Sequence, residues 1–164
     1  MELVIRDARP GDRAAILAIN RDGNPGVTAL SAAEIDDCIA RATLFRVTEQ
    51  NGQVSSYVIA VAPGFERIGD EYDWFSERLD RFLYVDQIAV APGAQRQGIA
   101  SALYADVERA ARERGLARLT CDVNLRPPNP DSLAFHARHG FREVGRLEVS
   151  DGRFVALLVK ELQA

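Results

Sequence analysis

The sequence predicts an α/β fold built on a mixed central sheet, and three features carry that expectation. Apolar periodicity switches between strand-like and helix-like along the chain in the order β, α, α, β, β, β, α, β, α, β, β, which amounts to about six to seven strands and about four helices. Asn51 with Gly52, and Asp151 with Gly152, each separate two β-rich runs in the manner of two-residue hairpin turns. The apolar strand Phe82–Val90 passes through a short turn of small and polar residues straight into a helix over residues 98–114.

Each element follows from its own residues. Leu3 and Ile5 alternate with Val4 and Arg6 as in a short strand, and Arg9, Pro10, Gly11 and Asp12 open a helix with Ile16, Leu17 and Ile19 on its apolar side. After the break at Asn24, Pro25 and Gly26, Ser31 and Glu34 have capping-box spacing, and Ile35 and Ile39 continue one helical face. Residues 44–48 and 54–61 form the first hairpin. Residues 63–81, interrupted by Pro63, Gly64 and Gly69, read as a long, partly structured loop with an acidic, aromatic segment at 70–75. In the helix that follows the next strand, Ile99, Leu103, Val107 and Ala111 form an apolar stripe, and Gly115 stops it. A strand at 119–123 comes next. Asn129 and Pro130 are an N-cap and first-turn pair for a short helix ending near Gly140, and residues 141–149 and 154–162 make the last hairpin.

Composition bounds the function. A chain of 164 residues with 47% hydrophobic content suits one core, so residues 1–164 are expected to form a single domain. Twenty basic against 24 acidic residues give a formal net charge of -4, which favours neither a nucleic acid nor an anionic membrane as partner. Cys38 and Cys121 fit no metal-ligand spacing and read as small core residues, so no metal is expected. No basic-then-apolar leader opens the chain and no apolar run approaches the roughly 20 residues of a bilayer span, so the expected location is the cytoplasm.

The stretch from Asp86 to Ala100 carries the most chemistry. Where a buried strand turns directly onto a helix, unsatisfied backbone N–H groups and the positive end of the helix dipole converge, and that arrangement binds phosphate. Gly98 and Ala100 let the backbone approach a pyrophosphate, while Gln95, Arg96 and Gln97 add side-chain donors. A P-loop would need Lys and Ser or Thr after the second glycine, where Ile99 and Ala100 stand, and the three spaced glycines of a dinucleotide fold are absent.

Gln95, Gly98 and Ala100 resemble the pyrophosphate loop of the GNAT acetyltransferase superfamily, whose form is Gln or Arg, two residues, Gly, one residue, Gly or Ala. A second segment, from Asn129 through Ser132, Phe135 and His136 to Gly140 and Phe141, is similar to the superfamily's later motif. The resemblance is weakest before residue 82. It implies the GNAT fold, splayed at the strand before the loop, with acetyl-CoA as cofactor. Ile88, Ala89 and Val90 would then bind the pantetheine arm, and Gln95, Arg96, Gln97, Gly98, Ile99, Ala100 and Ser101 the pyrophosphate. Asn129, Ser132, Phe135 and His136 would border the arm and its thiol end.

The reaction implied is direct attack by an amine of a small molecule or peptide on the thioester, in a ternary complex. A non-catalytic acyl-CoA-binding sensor or interaction domain is the alternative. Asp86 is the candidate base or a carboxylate that orients substrate, and Tyr84, on the same strand face, either lines the acceptor pocket or packs in the core. Many members of the superfamily place a Tyr proton donor where this chain has His136, which either donates a proton or packs beside the cofactor. Tyr72 and Trp74, in the acidic segment, either meet a cationic acceptor or lie on a solvated surface helix packed down by Trp74 and Phe75. The acceptor's identity and a homodimer are left open.

Overall fold

The computed structural model describes residues 2–163, which form a seven-stranded mixed sheet and five α-helices. The strands lie in the order β1-β2-β3-β4-β5-β7-β6, where β1 is Val4–Asp7, β2 Leu44–Gln50, β3 Gln53–Val61, β4 Phe82–Val90, β5 Arg118–Arg126, β6 Arg142–Glu148 and β7 Phe154–Glu161. The helices are α1 Arg13–Gly23, α2 Ala32–Arg41, α3 Asp70–Arg78, α4 Ile99–Glu113 and α5 Pro130–Arg138. The chain divides into two compact units, one of Met1–Val61 and Asp86–Val107, the other of Ala62–Val85 and Glu108–Ala164.

In the first unit, β1, β2 and β3 form an antiparallel meander. Gln50 pairs with Gln53 across a two-residue turn in which Asn51 and Gly52 have φ of 52° and 76°, both left-handed, as a turn matching the strand twist requires. Ser31 and Glu34 close a capping box at the start of α2, with bonds of 3.1 and 3.0 Å. Ile16 and Ile19 of α1 and Ile35 of α2 pack with Phe45, Val47, Tyr57 and Ile59, all buried, and Ala89 and Ala91 join the edge of this core.

In the second unit, β7 lies between β5 and β6 and is antiparallel to both. The parallel ladder of β4 with β5 covers Phe82, Leu83 and Tyr84 only, although β5 runs on to Arg126. Residues 70–78, expected within a partly structured loop or as a surface helix, are helical. Asp70, Glu71 and Asp73 in the first turn suit the positive helix end, and Tyr72 and Phe75, three apart, bury one face against Phe82 and Tyr84 with ring centroids 5.7–6.4 Å apart. Five helices therefore stand where about four were expected.

Candidate active site

In the first unit, β4 ends in a 3-10 turn, Pro92–Ala94, that is tied to β3 by the Ala91 N–H donating to the Ser55 carbonyl at 2.8 Å. Buried Ala94 and Ile99 fix the two ends of the turn, and Gln95, Arg96, Gln97 and Gly98 between them are exposed. Arg96 and Gly98 both take left-handed backbone, with φ of 64° and 77°. These two residues turn the chain onto α4, where the Ala102 N–H donates to the Gly98 carbonyl at 3.0 Å and so makes Gly98 the cap. The next amides, of Ile99, Ala100 and Ser101, belong to the first turn, at the positive end of the helix dipole.

A Cβ built on Gly98 would meet nothing within 4 Å. The glycine therefore answers to its φ, and the space beside it at the helix end is open. Ile88, Ala89 and Val90 are half-buried along β4, as is Asp86. The Asp86 charge acts on both Cys38 and Tyr57. Burial first, then Asp86, pushes the Cys38 thiol up to about 11, and burial pushes the Tyr57 hydroxyl up to about 12.

In the second unit, Asn129 caps α5 by accepting the Ser132 N–H at 3.4 Å, and its own N–H donates to the Asn124 carbonyl at 3.2 Å. His136 is 4% exposed, and its Nδ1 lies 2.7 Å from the Ser132 carbonyl. A carbonyl only accepts, so Nδ1 carries the proton and a neutral ring presents Nε2 as an acceptor. Burial holds the imidazole pKa below its ordinary value, against the Ser132 carbonyl, which raises it. Phe135 is half-buried and stacks on His139 at 4.0 Å.

Tyr84, Tyr72 and Trp74 each have partners within the second unit. The Tyr84 hydroxyl donates to Asp122 at 2.6 Å and its ring is 2% exposed. Tyr72 donates to the Ala62 carbonyl at 2.6 Å from a buried position. Half-buried Trp74 lies under the Arg78 guanidinium, 4.1 Å from its ring centroid, and against Gly145. Sequence reasoning did not assemble the group around Arg153, which contacts Asp151 at 2.8 Å, Glu71 at 3.1 Å, Asn124 at 3.3 Å and Asp122 at 3.8 Å. The signal was a basic residue immediately after the Asp151, Gly152 turn, with three partners more than 25 positions away. Among the described residues, no group of three or more His, Cys, Asp or Glu could hold a metal, and no helix is long and apolar enough to cross a membrane.

The profile of the Acetyltransferase (GNAT) family matches residues 5–141. The chain belongs to the GNAT acetyltransferase family. The chain is similar to an acetyltransferase from Agrobacterium fabrum, Atu2258, with 36% identity over 80 residues. That match spans 48% of this chain and about half, 56%, of the relative. Ard1 from Thermoplasma volcanium has the same fold, with a TM-score of 0.81, 17% identity and all of both chains covered. So does a GNAT phosphinothricin acetyltransferase from Sinorhizobium meliloti solved with acetyl-CoA, at a TM-score of 0.75 and 22% identity, covering 99% of this chain and 89% of that one. Acetyl-CoA is the family's acetyl donor, and the open, left-handed Gly98 at the start of α4 fits its pyrophosphate.

Proposed function

We propose that this chain transfers an acetyl group from acetyl-CoA to the amine of a small molecule or peptide, by direct attack in a ternary complex. The observation that carries this reading is the turn at the end of β4, where left-handed Arg96 and Gly98 deliver the amide end of α4 into open space. Bound acetyl-CoA supplies the activated acetyl group, and everything else falls to the chain. Residues 95–101 hold the pyrophosphate by backbone N–H groups and the helix dipole. Ile88, Ala89 and Val90 offer strand-edge groups to the pantetheine arm, and one of their amides donates to the thioester oxygen as negative charge develops there. Asn129, Ser132, Phe135 and His136 border the arm, His136 as an acceptor in the tautomer its Ser132 bond selects. Asp86 receives the proton an ammonium must lose before it can attack, directly or through a water; the N–C bond then forms, the C–S bond breaks, and CoA leaves as a thiolate that takes up a proton from solvent. In this reading residues 1–164 work as one cytoplasmic catalytic domain.

The test pairs binding with turnover. Acetyl-CoA should raise the Tm of the wild type in a concentration-dependent way. Gly98→Val, which forces a β-branched residue to φ 77°, should lower the apo Tm and weaken acetyl-CoA at least about tenfold, or about 1.4 kcal/mol. An amine screen read by thiol release should find an acceptor. Equal cofactor-induced shifts in both proteins would reject the loop assignment, and binding without release on any amine would leave an acyl-CoA-binding module.

A further inference from the structure

The turn after β4 starts at Ala91, and Ala91 is held from β3, within the first unit. Its N–H donates to the Ser55 carbonyl at 2.8 Å, and its own carbonyl accepts the Ala94 N–H at 2.9 Å, closing the 3-10 turn Pro92–Ala94. This one residue therefore sets where the turn leaves the sheet. Ser55 is not an ordinary strand residue. Thr48 pairs with Ser56 and Glu49 with Val54, so Ser55 is an extra residue on β3, a bulge that sets Ser55 and Ser56 together opposite Thr48.

On a regular strand consecutive side chains point to opposite faces. Here two consecutive hydroxyls converge on a third: Thr48 Oγ1 lies 2.7 Å from Ser55 Oγ and also bonds Ser56 Oγ. Thr48, Ser55 and Ser56 are 0%, 7% and 0% exposed. With water shut out, the three hydroxyls satisfy one another, and that mutual need fixes the shape of the bulge. A second tie meets the far end of the turn, where Gln50, the last residue of β2, donates from Nε2 to Gln97 Oε1 at 3.4 Å. Engaging that oxygen leaves the N–H groups of the Gln97 amide as the part that can meet an anion.

We propose that Thr48 and Ser55, with Gln50, are positioning residues through which the β2–β3 hairpin braces the pyrophosphate turn. This rests on the reading of residues 95–101 as the pyrophosphate site. Backbone N–H groups hold an anion only as well as they are aimed, and a turn fixed before the cofactor arrives gives up less freedom on binding. Removing the Thr48 hydroxyl leaves Ser55 and Ser56 without their common partner, loosens the bulge and with it the Ser55 carbonyl that holds Ala91. Cofactor affinity then falls although the turn's own sequence is untouched.

The experiment compares wild type with Thr48→Val, which keeps the shape and removes the hydroxyl, and with Thr48→Ser, which keeps the hydroxyl. Hydrogen exchange at the Ala91 and Ala94 amides should lose protection in Thr48→Val and keep it in Thr48→Ser. The acetyl-CoA Kd, by titration calorimetry, should rise at least about fivefold in Thr48→Val and stay within about twofold in Thr48→Ser. Ile16→Val trims the core of the same unit and separates the brace from a general loss of stability; its Kd should stay within about twofold of wild type. If Thr48→Val does not fold, Gln50→Leu decides in its place, with a Kd expected to rise about threefold at an unchanged Tm. In the deciding variant, a Kd within about twofold of wild type, or a rise no greater than that of Ile16→Val, would overturn the brace. Failure of the wild type to bind acetyl-CoA would instead overturn the acetyltransferase reading; exchange at Ala91 and Ala94 needs no ligand, and if it too is unchanged in the deciding variant the brace falls on its own account.

Discussion

A Cβ atom on Gly145 would stand 2.8 Å from Cζ2 of Trp74 and 3.1 Å from Cη2. The indole edge thus occupies the space a side chain on β6 would need, and α3 reaches this strand through Trp74. Real Cβ contacts do not come so close, so an alanine here must displace a rigid ring already stacked under Arg78.

Gly145→Ala should cost about 1–3 kcal/mol, the range for overpacking a filled site. Trp74→Leu in the same chain should recover part of that loss, because the smaller side chain vacates the contested space. Chemical denaturation of the two single variants and the double variant measures the coupling, and additive losses would contradict the contact.

His136 gives a pH dependence whose sign is fixed by burial. Its folded pKa lies below the ordinary value, so at acid pH the unfolded chain binds the proton more readily than the folded one. Its contribution to stability is complete above about pH 6.5, the unfolded value, and is lost progressively as pH falls from there through the folded pKa. His136→Phe should therefore show a smaller drop in Tm than wild type between pH 7.5 and pH 5.5. Parallel Tm profiles for the two proteins would refute the assignment of a neutral, buried ring.

Asp86 is read through its neighbour. Because its charge adds to burial in raising the Cys38 thiol, Asp86→Asn should lower that pKa and speed iodoacetamide labelling of Cys38 at pH 8.5. The same variant should reduce kcat about 10²-fold or more if Asp86 is the base, with acetyl-CoA affinity retained. An unchanged kcat with faster labelling would assign Asp86 an electrostatic role only.

Much of this molecule was legible because its signals are local. Asn51 and Gly52 announce their turn, Ser31 and Glu34 their cap, and Pro92 to Gly98 the turn from β4 onto α4, since each pattern is satisfied within a few residues. Helix α3 was obscured because its apolar face rests on Tyr72 and Phe75 among acidic residues, and its burial is decided by Phe82 and Tyr84 on a strand. A buried hydrogen-bond network of Asn20, Tyr57 and Gln87 was hidden for a related reason. Its other members are 37 and 67 positions from Asn20, and an amide side chain does not advertise which distant partner it will meet. The tautomer of His136 likewise depends on a carbonyl one helical turn earlier being within reach, which the helix supplies and the residue type does not.

Both units are assembled from two separate stretches of chain, and β4 and α4 each pass from one to the other, at residues 85–86 and 107–108. No single scission can therefore liberate either one intact. A break after Val61 yields an amino-terminal fragment deprived of residues 86–107 and a carboxy-terminal fragment carrying that stretch as an orphan. Synthesis on the ribosome meets the same constraint, since the first 61 residues must wait for the second stretch to emerge before their unit is complete.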